Sequence, residues 1–272
     1  MLSRVLLFTL FVSGLASSAA TFAVTFNDTY YQSTGAQGLG TVSGDFDRDG
    51  RPDMAVGTTG AVDIFRNIGG GKFSSPAPYA VTGDANTIVA TDVNNDGWLD
   101  IVVMAYQADS VQFLINNKNG TFHNGTPVPL TMPGNSVVAG DLNGDGKIDL
   151  LVEECDFNST PNKCQFAVYK GNGTGAFIAG QVLALANTSI ATPRLVDINR
   201  DGKLDLVNIR QPYVQIWLGK GDGSFNAPSS LRPPVVCAPS DECADFLNSL
   251  VVADFNNDTA LDIAVLQAHA CG

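Results

Sequence analysis

Basic and imidazole side chains are scarce in this sequence. There are 15 Lys and Arg against 27 Asp and Glu, and two His in 272 residues, for a net charge of −12. Without a basic patch a protein cannot release counterions from a polyanion, which excludes nucleic acid as a partner. His123 and His269 stand in no metal or triad spacing. Gly-x-Ser-x-Gly elbows, phosphate loops and zinc motifs are missing as well, so the common catalytic constellations have no residues to build on. Long apolar runs are also missing after the first 20 residues, and none of the later segments reads as transmembrane.

The N-terminus has the layout of a secretory signal. Arg4 gives a positive start, Val5 to Val12 an apolar stretch, and Ser18-Ala19-Ala20 a small-residue cleavage site. The stretch is too short for a membrane span, and no Cys follows it to carry a lipid anchor. Residues 1–20 are therefore expected to be a signal peptide, and residues 21–272 an exported domain that is secreted or held at the cell surface. At 44% hydrophobic residues the chain can bury a substantial core. Export also permits disulfides. Of the five cysteines, Cys155 with Cys164 and Cys237 with Cys243 are near enough to staple single loops, which leaves Cys271 odd.

The acidic residues are concentrated. Sixteen of the 27 lie in five copies of one nonapeptide, Asp-x-Asp/Asn-x-Asp-Gly-x-x-Asp, starting at Asp45, Asp92, Asp141, Asp197 and Asp254. The starts are 47, 49, 56 and 57 residues apart, a period that marks a repeat architecture. Oxygen-bearing side chains at alternate positions, then a glycine, then another carboxylate, suit a hard cation such as Ca²⁺. In the first copy Asp45, Asp47 and Asp49, the carbonyl of Arg51 and the carboxylate of Asp53 are the expected ligands. The corresponding sets are Asp92, Asn94, Asp96, Trp98 and Asp100; Asp141, Asn143, Asp145, Lys147 and Asp149; and Asp197, Asn199, Asp201, Lys203 and Asp205. In the fifth copy they are Asp254, Asn256, Asp258 and Asp262, and Thr259 replaces the glycine. A β-branched residue resists positive φ, so this site is expected to be weak or empty.

The alternative is five Asp- and Gly-rich turns without metal. Charge opposes it, because unit charges about 5 Å apart at an effective dielectric near 20 repel by about 3 kcal/mol. An EF-hand is excluded: position twelve is Val56, Val103, Val152, Asn208 or Val265 rather than Glu, and the flanks are β-rich.

Around each acidic loop the sequence predicts a sheet. A β-rich run precedes it, as in Thr87 to Ala90 or Ser136 to Ala139, and another follows, as in Ile101 to Met104 or Leu150 to Val152. A third strand ends in a Gly/Asn turn and a Phe at Phe73, Phe122, Phe177 and Phe225. Phe26 lies the same distance ahead of the first loop and predicts a lone fourth strand at the start. Each unit is then a four-stranded antiparallel sheet, and the fold class all-β, a β-propeller. Two units are longer than the rest, and each excess segment holds one cysteine pair. The sequence stops one strand after Asp262, which leads us to expect a piece of a larger ring.

These loops and the Gly-turn-Phe segments, such as Gly223-Ser224-Phe225-Asn226-Ala227-Pro228, resemble the FG-GAP/VCBS repeat of integrin α-subunit propellers and many secreted microbial proteins. The resemblance covers about residues 22–272. It implies a propeller, usually of seven blades, with Ca²⁺ at the matching Asp and Asn positions. It also implies a secreted binding or adhesion module for an extracellular protein or glycan. The second expectation is the propeller part of a secreted enzyme, of polysaccharide lyase or phospholipase type, whose catalytic residues lie outside this chain. The cysteine loops, Tyr30-Tyr31, Trp98 and Tyr213 are the candidate exposed contacts. Seven Asn-x-Ser/Thr sequons, at Asn27, Asn119, Asn124, Asn158, Asn172, Asn187 and Asn257, matter where the export pathway glycosylates.

Overall fold

The computed structural model describes residues 39–160, 162–185, 193–233 and 243–271. The expected signal peptide, the strand at Phe26, Tyr30-Tyr31, Asn27, Asn187 and Cys237 lie outside these residues, as does the proposed Cys237–Cys243 pair through Cys237. Among the described residues every regular element is a strand, and all pairing is antiparallel.

Five repeat units follow one another. Unit 1 comprises β1 (Thr41–Gly44), β2 (Asp53–Phe65), β3 (Asn67–Gly69), β4 (Lys72–Phe73) and the first half of β5 (Ala77–Thr91). The second half of β5 opens unit 2, followed by β6 (Asp100–Ala105), β7 (Ala108–Asn116), β8 (Phe122–Asn124) and the start of β9 (Val128–Gly140). The rest of β9 opens unit 3, with β10 (Asp149–Asp156), β11 (Lys163–Gly171) and β12 (Phe177–Leu185). Unit 4 is β13 (Arg194–Val196), β14 (Asp205–Arg210), β15 (Tyr213–Trp217) and β16 (Ser229–Leu231). Unit 5 is the hairpin of β17 (Cys243–Ala253) and β18 (Asp262–Cys271), whose backbone register sets Cys243 opposite Cys271. Each acidic nonapeptide bends one hairpin, between the first and second strands of its unit, where the apolar runs on either side predict it.

The expected separate four-stranded sheet is seen in unit 4 alone: β5 and β9 run on from one unit into the next and join units 1 to 3 in one ten-stranded hydrogen-bonded sheet, and unit 5 shows two strands among the described residues. Apolar side chains on both faces of these strands distribute the core between units. One cluster joins units 1 and 2 through Phe46, Ala55, Ile64, Ile101, Val103 and Leu114. The next joins units 2 and 3 through Val102, Met104, Phe113, Leu150 and Val152. Two more join units 3 to 4, with Leu151, Phe166, Leu206 and Trp217, and units 4 to 5, with Val207, Ile209, Leu250 and Ile263. Aromatic pairs span these seams. Phe46 meets Phe122 edge-on at 5.6 Å, Phe113 stacks on Phe177 at 5.4 Å, and Phe166 meets Trp217 edge-on at 6.0 Å. Fully burying a phenylalanine such as Phe46 contributes about 1.5–3 kcal/mol.

Unit 3 carries the first long insertion, and the structure shows the expected disulfide there. Cys155 and Cys164 face each other across β10 and β11 and are bonded, with Cα atoms 4.1 Å apart. Beside them lie two buried carboxyls that the sequence pattern does not reveal. Glu154 accepts from Thr131 Oγ1 at 2.6 Å, Gln165 Nε2 at 2.8 Å and Tyr169 Oη at 2.5 Å. Glu153 Oε2 accepts from Asn135 Nδ2 at 2.7 Å and Ser136 Oγ at 3.2 Å, while Oε1 has no partner among the described residues.

Burial pushes the Glu153 carboxyl from its ordinary 4.5 up to about 7, against the opposing pull of the Asn135 and Ser136 hydrogen bonds. A carboxyl raised on folding adds stability while it stays neutral. That contribution is complete below about 4.5 and lost as pH climbs through about 7. The full interval is worth at most about 3 kcal/mol. Glu153→Gln should therefore raise the melting temperature by several degrees at pH 8 and change it little at pH 5. Thermal melts of both proteins at the two pH values measure this, and an equal effect at both would rule out proton linkage here.

Candidate metal centres

The five acidic loops adopt one backbone conformation. The fourth residue is left-handed in each: Arg48 at φ 58°, Asn95 at 60°, Gly144 at 75°, Arg200 at 62° and Asn257 at 63°. The sixth is also left-handed: Gly50 at 84°, Gly97 at 86°, Gly146 at 76°, Gly202 at 81° and Thr259 at 72°. Thr259 adopts the left-handed conformation in place of glycine, at a cost of about 1–3 kcal/mol, and Arg200 Nη1 donates to its hydroxyl at 3.1 Å.

This double bend turns the side chains at positions one, three and five inward. In every loop the N–H of the fifth residue lies between two Oδ1 atoms. Asp49 N donates to Asp45 at 3.1 Å and Asp47 at 3.2 Å. Asp96 N donates to Asp92 and Asn94 at 3.1 and 3.0 Å, and Asp145 N to Asp141 and Asn143 at 3.2 and 2.9 Å. Asp201 N donates to Asp197 and Asn199 at 3.0 and 2.9 Å, and Asp258 N to Asp254 and Asn256 at 3.2 and 2.8 Å. The sixth residue's N–H then reaches the other oxygen of the first Asp, from 2.6 Å at Gly97 to 2.9 Å at Gly50. In the first loop, carboxylate oxygens of Asp45, Asp47 and Asp49 lie within 4.8 Å of one another.

The ninth carboxylates do different work. Asp53, Asp100, Asp149, Asp205 and Asp262 are all buried. Oδ2 accepts from the second residue of the same loop, as Val93 N to Asp100 at 3.1 Å and Leu142 N to Asp149 at 3.0 Å. Oδ1 accepts from the end of the third strand in four loops: Asn67 N to Asp53, Asn116 N to Asp100, Gly171 N to Asp149 and Gly219 N to Asp205, at 2.7–2.8 Å. Burial raises the Asp100 pKa to about 6 despite those N–H bonds, and the nearby Asp96 and Asp92 raise it further. Asp53, Asp149 and Asp205 are raised for the same reasons. Gly171 and Gly219 are required where they stand, since a Cβ would come within 2.0 Å of Ile148 O and 2.2 Å of Leu204 O.

Four residues at positions three and five also face a cation from the chain. Arg51 pairs with Asp49, Arg66 lies 3.7 Å from Asp47, Lys118 3.6 Å from Asp96, and Lys147 3.7 Å from Asp145. Trp98 is a different case from the free surface aromatic suggested by its loop position. It is half-buried, with the Arg48 guanidinium over its ring at 4.4 Å and a second Arg48 bond to Gly97 O. The carbonyl of Trp98 remains at the expected seventh position. Tyr213 is exposed, as expected.

The first three loops are also joints between units. The apolar second residue is buried in the first three loops, and its carbonyl accepts from the next unit's Gly-turn hairpin or that hairpin's base. Asn116 Nδ2 donates to Phe46 O at 2.9 Å, Gly175 N to Val93 O at 3.2 Å, and Gly223 N to Leu142 O at 3.0 Å. Sequence reasoning identifies that apolar position as a pin to the core but not the carbonyl's partner, which lies 70 or more residues away. The strain at Thr259 gives a direct test. Thr259→Gly should stabilise the protein by about 1 kcal/mol, or a few degrees in Tm, because relief of strain outweighs the added freedom of the unfolded chain. A lower Tm for the variant would refute the strain assignment.

Comparison with known proteins places these loops. An FG-GAP-like repeat model matches residues 45–103, 92–152 and 197–265. Among solved structures, a lectin from Agrocybe aegerita that recognises non-reducing terminal N-acetylglucosamine is similar at 20% identity, with a TM-score of 0.50 over 70% of this chain and 51% of the lectin. The Photorhabdus luminescens Tc holotoxin pore is similar at 16% identity and a TM-score of 0.31, over 88% of this chain and 14% of that one. A TcdB2–TccC3 structure gives 17% identity and a TM-score of 0.33, over 84% and 13%. This chain thus spans about half the lectin's length and a small part of the other two. No curated protein matches significantly. With five congruent loops and a repeat model covering more than half of its residues, the chain belongs to the FG-GAP-like repeat family.

Proposed function

We propose that this protein is a secreted, calcium-stabilised β-propeller that acts as an extracellular binding module for a carbohydrate or protein ligand. The observation that carries the reading is the fivefold recurrence of one oxygen-lined loop at the seam between successive sheets. FG-GAP repeats often bind calcium, and the donor set here fits that ion: uncharged amide and carboxylate oxygens in a cluster whose spread suits Ca–O distances of about 2.3–2.6 Å. The side chains at positions one, three and five, the seventh carbonyl and the ninth carboxylate of each loop would hold it. The ion would supply positive charge among carboxylates that otherwise repel one another.

Repeated antiparallel units that share cores with their sequence neighbours support the propeller reading. The proposed blades are the repeat units. The Cys155–Cys164 disulfide is consistent with an oxidising compartment. No helix among the described residues is long and apolar enough to cross a membrane. The carbohydrate part of the reading draws on the lectin as a structural neighbour and on the paucity of catalytic motifs in the sequence.

Extracellular modules bind Ca²⁺ with Kd near 10⁻⁴–10⁻³ M, and at tenfold excess each site adds about 1.4 kcal/mol. Chelation with EGTA should lower the Tm sharply, and millimolar CaCl₂ should restore it. An unchanged melting curve would overturn calcium stabilisation. A glycan array probed with and without Ca²⁺ tests the binding role. The expected result is selective, calcium-dependent retention on a small set of glycans. Silence across both the array and an extracellular-matrix protein panel would count against a binding module.

A further inference from the structure

We propose that a cleft at the end of unit 2 remote from the acidic loops is a subsite for a neutral saccharide, with Tyr106 as its stacking platform and Asp109 as its hydroxyl acceptor. The proposal deepens the carbohydrate reading above and rests on it. The cleft has a volume of about 460 Å³. That is within the range of small-ligand sites, about 300–1,000 Å³. Its walls are the Thr82–Gly83 bend that links units 1 and 2, the Tyr106–Gln107 turn between β6 and β7, and the Asp109–Gln112 stretch of β7. Because β6 begins at Asp100 and runs away from the second acidic loop, this turn lies at the opposite end of the sheet.

The walls are held rigidly. Tyr106 N donates to Asp84 O at 3.0 Å, and Gln107 N to Gly134 O at 2.8 Å, so neighbouring segments fix both turn residues. Gln107 is left-handed at φ 56°, and its side-chain amide reaches Cys155 O. Across the cleft the Gln112 amide clasps Thr82 twice: Thr82 N donates to Oε1 at 2.8 Å, and Nε2 donates to Thr82 O at 2.9 Å. On this frame Tyr106 is 50% exposed. Asp109, which lines the same cleft, is exposed, and its carboxylate accepts from Ser110 Oγ at 3.4 Å.

An open phenol ring offers a flat face to the apolar side of a pyranose, and a carboxylate next to it accepts from sugar hydroxyls more strongly than a neutral group does. The residues lining the cleft include no Lys, Arg or His. With a net charge of −12 on the chain and Asp109 in the cleft, uronates, sialic acids and phosphates would meet repulsion without a counter-charge. A neutral sugar avoids that penalty. Unit 4 repeats the placement: Tyr213 opens β15 immediately after the corresponding turn and is 38% exposed.

The test is titration of the calcium-loaded protein with N-acetylglucosamine, galactose, mannose and glucuronate, followed by calorimetry and by amide chemical shifts. At least one neutral sugar should bind in the millimolar range and shift the amides of the Tyr106–Gln112 stretch, with glucuronate inert. Tyr106→Ala should weaken binding about tenfold and Tyr106→Phe should retain it, since the aromatic face supplies the contact. Asp109→Asn should weaken it several-fold, with the Tm of each variant unchanged. If neutral sugars bind and Tyr106→Ala binds equally well, this cleft is the wrong site and the lectin reading survives. If none of the three neutral sugars binds the folded, calcium-responsive protein, the subsite falls, and the carbohydrate reading is decided separately by the glycan array. Glucuronate binding as tightly as a neutral sugar would overturn the selectivity argued from charge.

Discussion

The ninth aspartate of each acidic loop is a buried anion held by backbone N–H groups, and the geometry of the whole repeat is set around it. In the first four loops its two oxygens tie the start of the loop to the end of the third strand, so one carboxylate fixes three segments at once. Asp100 shows the balance of forces: desolvation drives its pKa up to about 6 against two N–H donors, and Asp92 and Asp96 add to the rise. Such a group is tolerable only where the backbone satisfies it fully, which is why the donors recur at equivalent positions. Gly171 and Gly219 follow from that demand. The third strand must bring its N–H so close to the loop that no side chain fits against Ile148 O or Leu204 O. Unit 2 solves the same problem differently. Asn116 places an amide there, and Nδ2 donates to Leu99 O at 3.0 Å as well as to Phe46 O.

Once the loop is fixed, the joint between units follows. In the first three loops the apolar second residue enters the shared core, and its carbonyl accepts from the next unit's hairpin or that hairpin's base. Loop conformation and unit–unit packing are therefore one property. This couples the proposed cation sites to global stability without any contact between the ion and the core. A cation that lowers the repulsion within a loop also secures the carbonyl on which the following sheet is seated. Single surface salt bridges such as Lys118–Asp96 are weak substitutes, worth about 0–1 kcal/mol each.

Local, repeated features were legible in the sequence. The nonapeptides, the strands on either side and the Gly-turn-Phe hairpins depend on residues close in the chain and recur, and the Cys155–Cys164 staple likewise joins residues nine apart. Non-local features were not legible. The Asn116–Phe46 bond spans 70 residues, and the Arg48 cover on Trp98 spans two loops. No periodicity announces either. Glu153 and Glu154 read as ordinary polar residues that end a strand, and only the fold shows them buried beside the disulfide. Thr259 marks the opposite failure. Propensity correctly identifies a residue unsuited to positive φ, but four other loops of identical hydrogen bonding show how strongly the carboxylate scaffold imposes its shape, and the scaffold prevails over the preference of one residue.

The two ends of each unit are under unequal constraint, and this bears on where function can reside. At the loop end the polar atoms are largely committed: first, third and fifth side chains to the loop itself, ninth carboxylates to the backbone and, in the first three loops, second carbonyls to the next unit. A substitution there disturbs an arrangement repeated along the chain. At the other end the turns differ from unit to unit, with Thr59-Gly60, Tyr106-Gln107, the disulfide-closed loop after Cys155 and the segment before Tyr213. Those turns are anchored at their bases by the same ladders but share no common hydrogen-bonding demand, so their side chains can vary without loss of the fold. A rigid, repeated end and a variable end on one frame are what allow a repeat protein to acquire a binding surface, and in this molecule Tyr106, in one such turn, and Tyr213, directly after another, stand on the variable end.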